Sequence, residues 1–152
     1  MTGFTFKLES LRALREQTEQ LAKEELAREL ARKAERDAEL DAAEERLRDA
    51  RAAGQIPAGT TVTGGDLVSV QAYVERRERE RLAALDDLRA QEEEVGVSRK
   101  RLEAAARDRA VLERLKQRQG EEHRRAEAKA EEATLGEIAI NTHRRANTDQ
   151  AA

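Results

Sequence analysis

The chain has 152 residues, of which 40% are charged and 2% aromatic, with one proline and no cysteine. Alanine accounts for 28 of the apolar residues, which leaves only 30 larger apolar side chains for an interior. This composition excludes a thick globular core and is typical of long helices or coiled coils. The absence of cysteine excludes a disulfide framework and thiolate metal sites.

The 29 basic and 32 acidic residues give a net charge of −3 and are interleaved along the chain. Self-repulsion therefore does not favour disorder. A near-neutral balance with three aromatic residues also disfavours nucleic acid as a partner. Because no apolar run is long enough for a signal peptide or a membrane span, we expect a soluble cytoplasmic protein.

The predicted elements are two helices in one coiled-coil domain spanning residues 1–152. Helix one is predicted over about 4–53, which contains neither glycine nor proline. A loop rich in glycine and threonine follows over about 54–63. Helix two is predicted over about 64–145, and residues 146–152 are predicted to be a frayed tail.

The start of helix two carries a specific signal. Thr63 and Asp66 have the spacing of a capping box, and Val62 and Leu67 stand at the positions of a hydrophobic staple. These residues predict a helix that begins near residue 63.

Heptad spacing predicts the apolar seam of each helix. In helix two the seam comprises Leu67, Val74, Leu88, Val95 and Leu102, with Leu85 and Ala106 on the companion frame. In helix one it comprises Leu8, Leu11, Leu14, Thr18 and Leu21, then Ala22, Leu26, Leu30 and Ala34, and then Leu40 and Leu47.

The short loop predicts that the two helices form an antiparallel coiled-coil hairpin, an all-α fold. Pairing about Gly59 places Leu11 opposite about residue 107 and Phe4 opposite about residue 114. Helix two is predicted to be longer than helix one. About 30 of its C-terminal residues are therefore predicted to extend beyond helix one without a partner in the chain.

The sequence contains no convincing catalytic or metal-binding pattern. His123 and His143 are far apart and lack cysteine partners, so they do not predict a metal site. The many carboxylates are expected on solvated helix faces, where nothing separates their pKa values for acid–base catalysis. We therefore expect no enzyme, no cofactor and no metal.

The aromatic residues leave two interpretations open. Tyr73 either packs over the hairpin end or serves as a recognition anchor, because tyrosine is enriched at binding hot spots. Phe4 and Phe6 either cap the open end of the coiled coil or face a partner.

Three stretches together resemble the family of the flagellar export protein FliJ and its injectisome counterpart YscO. They are the opening Phe4–Leu11 with Arg12 and Arg15–Gln17, the hairpin exit Gln71–Tyr73, and the tail Leu135–Ala139 with His143–Arg145. The order and spacing of these stretches extend over nearly the whole chain. The resemblance implies a two-helix stalk-like component of a type III protein export apparatus.

The resemblance also implies partners: a hexameric FliI-type export ATPase, an FlhA-type export gate protein and export chaperones. It places the protein peripherally at the cytoplasmic face of the membrane, through the apparatus. The residues that it implies for ATPase binding are Phe4, Phe6, Leu8, Arg12, Arg15, Leu135, Ile138, Ile140, Arg144 and Arg145. Those that it implies for gate binding are Leu40, Leu47 and Tyr73.

Two other functions remain open from the sequence. One is a generic structural coiled coil that dimerises or tethers other proteins, and the other, less favoured, is a membrane-surface scaffold. An export component of this kind should be a monomer when free, whereas a structural zipper should remain a dimer on dilution.

Overall fold

A computed structural model of the chain describes residues 3–150, with side chains up to residue 146. It contains two helices, α1 over Glu9–Ala53 and α2 over Gly64–Gln150. The described residues include no strand. The two helices pack against each other in antiparallel orientation, which confirms the predicted all-α two-helix hairpin.

Helix α1 begins at Glu9 rather than near residue 4 as predicted. The carbonyl of Phe6 accepts a hydrogen bond from the backbone N–H of Glu9 at 3.1 Å, and Phe6 itself is buried. Residues two apart lie on the same side of an extended segment but on nearly opposite sides of a helix. A non-helical start therefore lets the side chains of both Phe4 and Phe6 turn inward.

Helix α2 continues to Gln150, beyond the predicted end near residue 145. Neither glycine nor proline follows Gly136, so the sequence contains no residue that would stop the helix earlier. Of the predicted frayed tail 146–152, the last two residues lie outside the described part of the chain.

The contacts divide the chain into two compact units. The first, called here the open-end unit, comprises the chain up to Gln17 and from Ala106 onward. The second, the loop-end unit, is Thr18–Ala105. The single coiled-coil domain of the sequence analysis stays a prediction.

The loop-end unit contains the predicted capping box. The Thr63 hydroxyl accepts a hydrogen bond from the backbone N–H of Asp66 at 3.2 Å, and the Asp66 carboxylate accepts one from the backbone N–H of Thr63 at 3.0 Å. Because the carboxylate also accepts the Thr63 hydroxyl, the pKa of Asp66 is lowered. The cap satisfies N–H groups that the first turn of α2 would otherwise leave unpaired.

Two glycines shape the loop. Gly59 has a positive φ of 91°, a conformation that residues with a Cβ rarely adopt. At Gly54 a Cβ would lie 2.8 Å from Cγ1 of Val70, so any larger residue there would force the Val70 side chain to move. The end of α1 consequently lies beside Val70 and not beside the first residue of α2.

The close approach of Gly54 to Val70 explains why the observed register between α1 and α2 differs from the predicted one. In the open-end unit Arg12 pairs with Glu113, and in the loop-end unit Lys33 pairs with Glu92. The predicted pairing, with Leu11 opposite about residue 107, is therefore wrong by about one heptad. The prediction assumed a loop that is symmetric about Gly59, whereas the loop runs beside the first turns of α2.

The core of the loop-end unit is thin. Its buried apolar residues are Ala43, Leu47, Ala50, Leu88, Val95 and Ala105. Those of α1 recur at intervals of three and four, as a coiled-coil seam requires. The seam of α2 was predicted in part, since Leu88 and Val95 are buried, but Leu67 is 51% exposed.

The predicted seam of α1 holds only in part before Leu40: Ala22 and Leu26 are half-buried, whereas Leu14, Thr18 and Ala34 are exposed. Leu21 is 55% exposed and Leu30 is 40% exposed, whereas Glu19 is buried. The heptad frame set by Ala43 and Leu47 reaches Glu19 when it is extended toward the N-terminus. A continuous helix keeps that frame, so the better-packed end decides which face of α1 turns inward.

Candidate partner-binding surfaces

The N-terminal segment contributes both buried and exposed groups to the open-end unit. Phe6 is 5% exposed, whereas Phe4 and Leu8 are each 38% exposed. The Phe4 ring lies over Gly120 and contacts the His123 ring with centroids 5.8 Å apart. Phe6 therefore stabilises the fold, and Phe4 presents part of its ring to solvent.

Arg12 is the centre of an ionic network. It pairs with Glu9 at 2.7 Å, with Glu113 at 3.4 Å and with Glu16 at 3.6 Å. Lys116 of α2 reaches the same Glu9 at 2.9 Å. Hydrogen bonds from Arg12 and Lys116 lower the pKa of Glu9 to about 2, and the Glu9 carboxylate raises the pKa of Arg12.

Arg15 is more accessible than Arg12. It pairs with Asp108 at 3.2 Å, and 42% of its side chain is exposed, against 20% for Arg12. Both arginines link α1 to α2 within the open-end unit. Arg15 has exposed surface with which it can contact a further partner, whereas Arg12 already pairs with three carboxylates.

The C-terminal part of α2 is fully solvent-facing. Every described side chain from residue 128 to residue 146 is exposed, including those of Arg144 and Arg145. Leu135, Ile138 and Ile140 are 66%, 56% and 57% exposed. These three aliphatic residues have no packing role in the described part of the chain.

The three aliphatic residues do not share one face. With 3.6 residues per turn, Leu135 and Ile138 lie roughly 60° apart around the helix axis, and Ile140 lies roughly 160° from Ile138. A flat partner could cover Leu135 and Ile138 but would leave Ile140 in water. The arrangement fits a partner that contacts the helix from more than one side.

The residues implied for gate binding are distributed differently. Leu47 is 5% exposed and forms part of the core, Leu40 is half-buried, and Tyr73 is 45% exposed. The Tyr73 ring lies under the guanidinium of Arg77 at 5.0 Å, and the Arg77 side chain donates a hydrogen bond to its hydroxyl at 3.3 Å. Of the three, Tyr73 exposes the largest share of its surface to solvent.

Sequence reasoning missed other exposed aliphatic residues in the loop-end unit. Ile56, Leu67 and Val68 are 41%, 51% and 70% exposed. A staple was predicted between Val62 and Leu67, and Val62 is half-buried. Their positions in the sequence could have revealed them. Ile56 lies in the loop, and Leu67 and Val68 lie in the first turns of α2, before the part of α2 that pairs with α1.

Charge is segregated along the chain. Residues 3–17 and 106–118 contain eight basic and four acidic residues, whereas residues 18–105 contain 16 basic and 21 acidic ones. The paired part of the open-end unit is therefore net positive in a chain that is net negative. A positive surface attracts acidic partners and accelerates their association.

Among the described residues, no cluster of three His, Asp or Glu side chains could hold a metal ion. Neither helix, over the same residues, contains an apolar stretch long enough to cross a bilayer.

The fold and its exposed ends define a class, that of antiparallel two-helix coiled-coil proteins with an uncovered helix end. Within this class the comparison with family models is specific: the model of the Flagellar FliJ protein family matches residues 4–148. The chain belongs to the FliJ family, as the resemblance predicted, and is a component of the flagellar export apparatus. No curated protein and no solved structure matches the chain.

Proposed function

We propose that the chain is a non-enzymatic component that binds the ring of a FliI-type export ATPase through its open-end unit. It links this ring to an FlhA-type export gate and to export chaperones. It acts in the cytoplasm, held peripherally at the membrane by the apparatus. Membership of the FliJ family supports the export role, and the surfaces described above support the choice of contacts.

One observation carries the ATPase contact: the uncovered end of α2 has aliphatic side chains on opposite faces. Leu135 and Ile138 project to one side and Ile140 to the other, and all three are more than half exposed. Burying all of them requires a partner that surrounds the helix. The opening of a ring provides such an environment, because subunits approach from every side.

The remaining proposed ATPase contacts have different roles. Phe4, Leu8, Arg15, Arg144 and Arg145 have exposed surface and contact the ring directly. Phe6 is buried and Arg12 is held by three carboxylates, so these two position the surface. The net positive charge of the paired part of this unit favours acidic groups on the ATPase.

For the gate we propose Tyr73 as the contact residue. Its ring is 45% exposed and is held by Arg77, so little side-chain entropy is lost on binding. Leu40 is half-buried and lies in the same loop-end unit as Tyr73. Leu47 lies in the core of that unit and supports the surface from below.

The test measures stimulation of a FliI-type ATPase by the full chain and by alanine variants. We expect Leu135→Ala with Ile138→Ala to reduce stimulation, Ile140→Ala alone to reduce it as well, and the triple variant to abolish it. Leu82→Ala is the matched control, because Leu82 is 49% exposed and lies in the loop-end unit. Exposed positions contribute little to stability, so helicity should not change.

Two results would contradict the proposal. If Ile140→Ala stimulates like the natural chain while the double variant does not, the partner contacts only one face of α2 and does not surround it. If Leu82→Ala weakens stimulation as much as the triple variant does, the open-end unit is not the contact.

A further inference from the structure

A polar notch in the loop-end unit is separate from the proposed ATPase contacts, and of the residues proposed for the gate only Leu47 lines it. It is lined by Glu44, Leu47, Arg48 and Arg51 of α1 and by Arg81 of α2, and it encloses about 260 Å³. Three of its five residues are arginines. Its floor includes Leu47, whose side chain belongs to the core.

The arginines of the notch retain unused hydrogen-bonding capacity. Nη1 of Arg81 lies 3.9 Å from Oε1 of Glu44, beyond hydrogen-bond distance. Arg51 pairs with Glu78 through one nitrogen. Within the described residues, Arg48 makes neither an ion pair nor a side-chain hydrogen bond. Each guanidinium carries five donors in a planar fork, so most of the donors here have no protein acceptor.

The surroundings restrict the class of ligand. The loop-end unit has 16 basic and 21 acidic residues, so an extended polyanion such as nucleic acid, or an anionic membrane surface, would be repelled. A single acidic side chain meets the local charge of the notch, where three arginines outnumber the one carboxylate, that of Glu44. The apolar floor at Leu47 suits the methylene stem of a glutamate, while guanidinium groups pair with its carboxylate in the bidentate geometry that arginine prefers.

We propose that this notch binds acidic side chains of a peptide segment in a partner protein, with Arg48 and Arg81 as the carboxylate-binding residues. The inference does not depend on the ATPase contact, which lies in the other unit, or on Tyr73, which does not line the notch. Failure of either proposal therefore leaves the other intact.

The experiment titrates the full chain, labelled with ¹⁵N-arginine, with a short capped peptide that carries two glutamates one helical turn apart. We expect the side-chain Nε–H signals of Arg48 and Arg81 to shift and saturate. The same peptide with glutamine in place of glutamate should cause no shift. Because Arg48 is exposed, Arg48→Gln should keep the helicity and weaken binding about tenfold or more, as expected for a lost charge-assisted contact.

Arg46→Gln is the matched control, since it removes the same charge from an exposed position of α1 outside the notch. It should change the affinity by less than about twofold, an effect of screened long-range charge. Equal losses for Arg46→Gln and Arg48→Gln would overturn the proposal in favour of diffuse attraction. Equal binding of the glutamine peptide would overturn it, and so would displacement of the peptide by inorganic phosphate at the same concentration.

Discussion

At the residue scale, ion pairs occupy positions that apolar side chains fill in an ordinary coiled coil. Arg12 and Arg15 each bridge α1 and α2 in the open-end unit, and in the loop-end unit the side-chain amide of Gln91 donates hydrogen bonds to the carboxylate and to the backbone carbonyl of Glu29. Such contacts fix the partner of each residue more strictly than aliphatic packing does, but exposed ion pairs add little stability. The pairing is therefore specific without being strong.

The network around Glu9 predicts a pH dependence. Its pKa is lowered from 4.5 to about 2, so its contribution to stability is complete above pH 4.5 and is lost as the pH falls toward 2. Glu9→Gln should therefore lower the thermal midpoint at neutral pH, and the difference from the natural chain should shrink between pH 4.5 and pH 2. Circular dichroism melts across this range measure it.

Glu131→Gln provides the control, because Glu131 is exposed in the uncovered part of α2. It should shift the midpoint equally little at every pH. A Glu9→Gln difference that persists unchanged down to pH 2 would show that the carboxylate is not the stabilising group.

At the element scale, each helix has more than one apolar stripe, and the frame of the loop-end core decides which stripe is buried. Ala43, Leu47 and Ala50 define that frame in α1, and it leaves Leu21 outside.

This choice predicts a contrast between two leucines of α1. Leu47→Ala should lower the free energy of unfolding by about 2–5 kcal/mol, because it opens a cavity in the core. Leu21→Ala should lower it by less than about 0.5 kcal/mol, because Leu21 is 55% exposed. Urea denaturation followed by helicity measures both; equal losses would mean that Leu21 lies in the seam.

The sequence predicted the features that depend on local chemistry. The capping box at Thr63, the glycine-rich loop and the two long helices follow from residues that are close in the chain, and the structure confirms them. The register, and the part of the α1 seam that was predicted wrongly, could not be predicted in the same way. They depend on the contact between Gly54 and Val70, which a spacing rule does not contain.

The candidate surfaces were predictable to a similar extent. Leu135 and Ile138 stand out in a polar stretch of sequence, and they are exposed as expected. The burial of Leu47 follows from the heptad spacing, whereas the burial of Phe6 and the grouping of Arg48, Arg51 and Arg81 depend on which helix faces meet. The latter two features become visible only when the pairing of α1 with α2 is known.

At the scale of the whole molecule, most of α2 is paired, but its described side chains from residue 128 onward have no packing role. Shortening the chain after Glu127 should therefore change the free energy of unfolding by less than about 0.5 kcal/mol. Shortening it after Lys116 also removes Gly120 and His123, on which Phe4 packs, and should cost about 1 kcal/mol or more.

Urea denaturation of the two shortened chains beside the full one measures this difference. The Glu127 version should keep the folded open-end unit while losing ATPase stimulation, which separates folding from binding. A large loss of stability in that version would reveal that the end of α2 supports the fold.

The exposed end of α2 tolerates many substitutions during evolution. Folding demands only helix-forming residues over 128–146, because every described side chain of this range is exposed to solvent. A large aliphatic side chain retained there is therefore retained by selection for binding to a partner. Aligned relatives should vary freely at the alanine and charged positions and stay aliphatic at Leu135, Ile138 and Ile140, so that natural variation itself records the footprint of the partner.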